Sequence, residues 1–220
     1  MEEYRSTLPP ERLEQLRAWH EATSEVLHGR GAHDVEYLGL DLHVPEQVFA
    51  PTPTSDLLGE QVLRRVRPGD RVLDMGCGAG ANAILAAQIT DRVVAVDVNP
   101  FAVEATVVNA RRNRVADRID AFVSDVFDEV ADDFDVIVID PPFRWFRPRD
   151  LLERAFADEN YRTLGRFMEQ AGSRLRPGGR VLVFFGTSGD VAHFDRLIDR
   201  SALMSAVVAE RTIPVRGEDT

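Results

Sequence analysis

From residue 71 onward the chain repeats one unit, a short apolar run followed by a segment of helix length. RVLDM precedes ANAILAAQI, RVVAVDV precedes PFAVEATVVNARRN, and IDAFVSD and DVIVID come next. Such runs are apolar at consecutive rather than alternate positions, so both faces of each strand must be covered. A parallel sheet with helices on each side meets that demand, which makes a doubly wound α/β fold the expectation. Helical material from about 150 to 175 continues the series, and a turn at RPGG (176–179) is expected to lead into the strand RVLVFFG. A helix near 190–200 and the strand-like LMSAVVAERTIPV complete it.

The N-terminal part reads differently. Leu13, Leu16, Trp19, Ala22 and Val26 recur at helical spacing, and Gly29 and Gly31 stop that helix. EYLGLDLHV then alternates Leu38, Leu40, Leu42 and Val44 with Gly39, Asp41 and His43, the period of a half-buried strand ending at Pro45. A helix opened by Thr54 or Ser55 follows. The expected division is an N-terminal helical cap with a short strand over residues 1–47 and a main domain over 48–220.

Charge and cysteine usage narrow the function classes. Acidic residues outnumber basic ones 37 to 26, and a net charge of −11 opposes binding to phosphate backbones. Nucleic acid is therefore not the favoured partner, which leaves a small-molecule or protein substrate. Cys77 is the single cysteine, so no intrachain disulfide can form and a reducing compartment is expected. No apolar run approaches the roughly 18 residues of a membrane span, which points to a cytoplasmic protein with no membrane partner. The five histidines lack the spacing of a metal site, and no metal is expected.

VLDMGCGAGANAILAA joins a strand to a helix through Gly76, Gly78 and Gly80, bringing backbone close to a ligand at a helix N-terminus. Asp97, 23 residues after Asp74, ends the next strand, where a carboxylate can accept hydrogen bonds from two ribose hydroxyls. Asn99 and Pro100 fit the cap and first position of the following helix. Asp125 ends the third strand, placed to meet the amino group of an adenine, with Val126 beside the ring. This much fits a nicotinamide dinucleotide as well as any other nucleoside ligand.

VLDMGCGAG, VVAVDVNP, VSDVF and VIDPPF, in this order and spacing, resemble the successive motifs of class I S-adenosylmethionine-dependent methyltransferases. The likeness covers about residues 48–190 and is closest to the release-factor glutamine methyltransferases and related "small" methyltransferase domains. It implies a seven-stranded sheet whose last strand is antiparallel, with S-adenosylmethionine as the cofactor. It also implies that Asp74, Gly76, Cys77, Gly78 and Gly80 surround the donor on one side. Asp97, Val98, Asp125 and Val126 would do so on the other.

D-P-P-F at residues 140–143 resembles the [ND]-P-P-[YF] signature of enzymes that methylate planar nitrogen. On such a nitrogen the lone pair is delocalised, and hydrogen bonds accepted from its N–H groups return electron density to it. Asp140 and the Pro141 carbonyl would accept those bonds, while the prolines restrict the backbone and Phe143 offers a flat face for stacking. Glutamine methyltransferases usually carry N-P-P-Y, so Asp140 shifts the expectation from a primary amide toward an amine or guanidine-like acceptor. Methylation of an exocyclic amino group of an RNA or DNA base is the alternative, followed by O- or C-methylation and by a dinucleotide-dependent oxidoreductase. Pro142, Arg144 and Trp145 are expected to contact the substrate, within a basic and aromatic patch (RWFRPR) able to grip an acidic or phosphorylated group.

Overall fold

The computed structural model describes residues 4–212. Five parallel strands form the central sheet: β3 (Val72–Met75), β4 (Val93–Asp97), β5 (Ile119–Val123), β6 (Phe134–Ile139) and β7 (Leu175–Val183). Their order is β5-β4-β3-β6-β7, so the chain reverses direction across the sheet between β3 and β6. Register pairs Asp74 with Ala95 on one side and with Val138 on the other. In a doubly wound sheet, the crevice at the carboxyl ends of such neighbouring strands is where a ligand binds.

Consecutive strand residues serve opposite layers. Val72, Val136 and Val138 pack with α2 (Asp56–Arg65), α3 (Ala81–Ala87) and α4 (Pro100–Arg112). Leu73, Met75, Ile137 and Ile139 pack with Leu16 of α1 (Pro10–His28), with α5 (Arg162–Ala171) and with α6 (Val191–Arg200). This two-sided burial is why the strands read as continuous apolar runs.

Three expectations change in the fold. The stretch EYLGLDLHV belongs to a hairpin, β1 (His33–Tyr37) and β2 (Leu40–Val44), rather than to one strand. Leu38 and Gly39 form its two-residue turn with φ values of 47° and 80°, and a two-residue turn preserves the alternation that suggested a single strand. RPGG is not a turn before β7: the ladder already pairs Leu175 with Phe134, and these residues bulge out before Arg180 rejoins opposite Val136. The sheet also has five strands among the described residues, not seven. Residues 203–212 carry no regular secondary structure, and the rest of the strand-like run, 213–215, lies outside the described residues.

Candidate active site

β3 ends in a turn pinned to its neighbour, because Gly76 and Cys77 both donate their amides to the Val96 carbonyl, at 2.8 and 3.0 Å. Asp97, at the end of β4, completes the turn from the other side. One of its oxygens accepts the Gly78 amide at 3.0 Å and the other the Asn99 amide at 2.8 Å. Each oxygen keeps a further lone pair, and burial pushes the carboxyl pKa upward. Asn99 caps α4 through the Phe101 amide at 3.0 Å, with Pro100 in the first helical turn, as expected.

At the end of β6, Asp140 looks onto the same cleft. Its Oδ2 accepts the Ser55 hydroxyl at 3.2 Å, and Ser55 is in turn held by its carbonyl, which accepts the Tyr37 hydroxyl at 2.8 Å. Burial raises the Asp140 pKa to about 7, against the lowering effect of the Ser55 bond. The cleft measures about 2060 Å³, larger than a typical single-ligand pocket, and Gly76, Gly78, Asp97, Val98, Asp125, Val126 and Asp140 all border it. Pro141, Pro142, Phe143 and Arg144 continue the same wall.

With that geometry in place, residues 48–193 match the family model described as methyltransferase small domain. The chain belongs to the methyltransferase small domain family. The chemistry of that family is methyl transfer and its donor is S-adenosylmethionine. Ribosomal RNA small subunit methyltransferase C of Chromohalobacter salexigens is 37% identical over 158 residues, covering 67% of this chain and 42% of that protein. Release factor glutamine methyltransferase of Rhodopirellula baltica is 28% identical over 171 residues, covering 67% of this chain and 57% of that protein. This chain thus spans about half the length of these relatives. Among solved structures, the T. thermophilus 16S rRNA N2 G1207 methyltransferase in complex with AdoMet and guanosine superposes with a TM-score of 0.62. It is 26% identical, and the match covers 77% of this chain and 45% of that one.

The expectation that nucleic acid is an unfavoured partner is not borne out, since these methyltransferases include two named for ribosomal RNA. Net charge averages over the whole surface, whereas this cleft carries arginines, among them Arg147, Arg154 and Arg162, beside its carboxylates. Among the described residues no helix is long and apolar enough to cross a membrane.

The residues present fit the family's donor. Gly76 and Gly78 hold φ values of 74° and 54°, and a Cβ on Gly76 would meet no atom within 4 Å, so it would stand in open space at the cleft wall. Asn82, on the first turn of α3, borders the cleft with a buried Oδ1 that has no hydrogen-bond partner. Sequence reasoning missed Asn82; its position next to the glycine turn was the available signal.

Three of the expected site residues do not border the cleft. Asp74 is 1% exposed and lies beneath the turn, where its Oδ2 accepts the Ala83 amide at 2.9 Å and fixes the start of α3. Burial pushes its pKa up to about 7, with Asp97 and Asp140 adding to the rise. Gly80 faces α4: a Cβ there would sit 3.0 Å from Thr106, and its φ of 86° suits glycine. Trp145 is 9% exposed and packs into an aromatic cluster with Tyr4, Phe146 and Tyr161, at centroid distances of 5.5, 5.3 and 5.9 Å. Cys77 borders the cleft, but its buried thiol accepts the Thr106 hydroxyl at 3.2 Å, and burial drives its pKa well upward.

Asp125 borders the cleft with its carboxylate engaged, since Arg166 Nη1 donates to Oδ1 at 3.1 Å. Thr54 and Ser55, one of which was expected to open a helix, form a hydroxyl cluster with Thr52, and Ser55 serves Asp140. Phe143 packs against Phe184 and Phe185 at 5.4 and 5.3 Å. Its carbonyl accepts the Tyr161 hydroxyl at 2.6 Å; that oxygen accepts the Asp190 amide at 2.8 Å, and Asp190 accepts the Tyr4 hydroxyl at 2.8 Å. This chain of contacts fixes the end of D-P-P-F and was invisible in the motif itself.

Proposed function

We propose that this chain transfers a methyl group from S-adenosylmethionine to a planar nitrogen of a small molecule or protein side chain. The observation that carries this reading is the presence of Asp140 on the same cleft as Gly76, Gly78 and Asp97. Asp97 would hold ribose hydroxyls, the Gly76–Gly78 backbone the donor's amino-acid portion, and Val98 and Val126 the sides of the adenine. Bound there, S-adenosylmethionine supplies a methyl group on a cationic sulfur that leaves as a neutral thioether.

Asp140 and the Pro141 carbonyl accept hydrogen bonds from the acceptor's N–H groups and raise electron density on nitrogen. A carboxylate with a pKa of about 7 also suits a second task, taking the proton that must leave the methylated nitrogen. Ser55 steadies the ionised form from behind. Phe143, fixed through Tyr161, keeps the acceptor plane in line with the methyl carbon.

A second reading, an exocyclic amino group of an RNA base, is supported by the 37% identity to the C. salexigens ribosomal RNA enzyme and by the likeness to the T. thermophilus N2 G1207 methyltransferase. The experiment that tests both is incubation with methyl-labelled donor and separated metabolite, protein and RNA pools, with Asp140→Ala as control. Label is expected on nitrogen in the metabolite or protein pool, reduced roughly 10²-fold by the substitution. Label confined to RNA would establish the second reading, and label unaffected by Asp140→Ala would remove this residue from the chemistry.

A further inference from the structure

Arg144 directly follows D-P-P-F, borders the cleft and is only 5% exposed. Its guanidinium lies 3.5 Å from the ring centroid of Trp19, on α1. Among the described residues it makes no ion pair and no side-chain hydrogen bond, and its Nη1 is buried without a partner. A buried cation left in this state is costly, and burial accordingly lowers its pKa to about 10.

Three carboxylates on the segments beyond Arg144 are already engaged. Glu153 takes the Arg149 guanidinium and the Ser24 hydroxyl, each at 2.6 Å. Asp150 takes His28 at 2.6 Å, and Asp158 takes the Thr163 and Leu164 amides, both at 3.0 Å. His20, beside Trp19 on α1, is driven toward its neutral form by burial and by the Arg144 charge, so it adds no second cation there. The fold thus holds a flat guanidinium in the cleft wall, stacked on Trp19, with no protein anion paired to it among the described residues.

We propose that Arg144, backed by Trp19, binds an anionic group of the methyl acceptor, a carboxylate or a phosphate. A guanidinium fork pairs with either through two parallel hydrogen bonds. The inference rests on the methyltransferase reading, because it places the anion and the planar nitrogen in one molecule. Arg144 lies four positions after Asp140, so their Cα atoms lie within about 14 Å of each other, a span for one amino-acid-sized or mononucleotide-sized molecule.

The test is calorimetric titration of the full chain with S-adenosylhomocysteine present, using probe pairs that differ in the anion. The carboxylate arm compares 4-aminobenzoate with 4-aminobenzamide, and the phosphate arm compares adenosine monophosphate with adenosine. Ionic strength is held equal, so that the net charge of −11 acts alike on both arms. In one arm the anionic member should bind at least about tenfold more tightly, and Arg144→Gln should bring the pair within about twofold. Arg144→Lys, which keeps the charge without the fork, should retain only part of the preference.

Equal binding of both members in both arms, no binding of any probe, or a preference that survives Arg144→Gln would overturn the proposal. So would an undiminished preference in Arg144→Lys, which stands in should the glutamine variant fail to fold. Failure of S-adenosylhomocysteine itself to bind the wild type would instead strike at the methyltransferase reading, so the two failures are told apart.

Discussion

Replacing Asp74 by Asn should flatten the pH dependence of stability without disturbing the turn it supports. The carboxylate is 1% exposed and accepts one hydrogen bond, from the Ala83 amide, which an amide oxygen can accept equally well. Burial raises its pKa to about 7 in the folded chain, against an ordinary value near 3.8. A pKa raised by folding contributes stability that is fully present below the unfolded value and is lost as pH rises through the folded one. The loss therefore spans about pH 4 to 7. Linkage over three pKa units gives a total on the order of 4 kcal/mol, of which about 2 to 3 kcal/mol falls between pH 5 and pH 8. Asp140 drifts the same way, whereas the lowered pKa values of Glu153, Asp34 and Asp150 act mainly below pH 5. Subtracting one protein from the other cancels the contributions of Glu153, Asp34 and Asp150, which do not act on Asp74, and leaves that of Asp74 with its coupling to Asp97 and Asp140. The assay is urea unfolding of wild type and Asp74→Asn at half-unit steps from pH 5 to pH 8. The stability difference should shift in favour of the variant by about 2 to 3 kcal/mol across that range. Parallel pH profiles for the two proteins would refute the reasoning, because they would mean that the carboxyl does not titrate from a buried, destabilised position.

Asp97→Ala should weaken S-adenosylhomocysteine roughly 10- to 100-fold by calorimetry, since bonds to a charged acceptor disappear along with the anchor of the Gly78 amide; an unchanged affinity would refute that role. Gly80→Ala should lower unfolding free energy by about 1 to 3 kcal/mol in urea, because the new methyl meets Thr106 at 3.0 Å and φ is 86°. A neutral result would show that α3 and α4 can separate there freely. Tyr161→Phe should cost about 1 to 3 kcal/mol and reduce methyl transfer more than donor affinity, because the Phe143 carbonyl and the Asp190 amide both lose their partner. Equal losses in transfer and donor binding would place Tyr161 outside the positioning of the motif.

The legible parts of this molecule were those whose signals lie within a few residues. Strands buried on both faces declare themselves as apolar runs, and the glycine turn, Asp97 and D-P-P-F each sit at the end of such a run. What escaped reading is contact across long sequence separations. Ser55 meets Asp140 over 85 residues, and Tyr4 meets Asp190 over 186, with no local pattern to announce either. Adjacent residues also proved poor guides to shared duty. Arg144 forms a parallel bridge with Ala157, so the backbone is extended there and neighbouring side chains point to opposite sides. Arg144 accordingly borders the cleft while Trp145 enters the aromatic core, although RWFRPR reads as one patch. The strand-like run from residue 203 shows the matching error for pairing: its exposed Met204 and Val207 have β-forming side chains or apolar bulk, but strand formation is decided by a partner edge and a face to cover. Propensity names what a segment can become, and the tertiary neighbours decide whether it does, which is why the chemistry of the cleft was easier to read than the contacts that hold it in place.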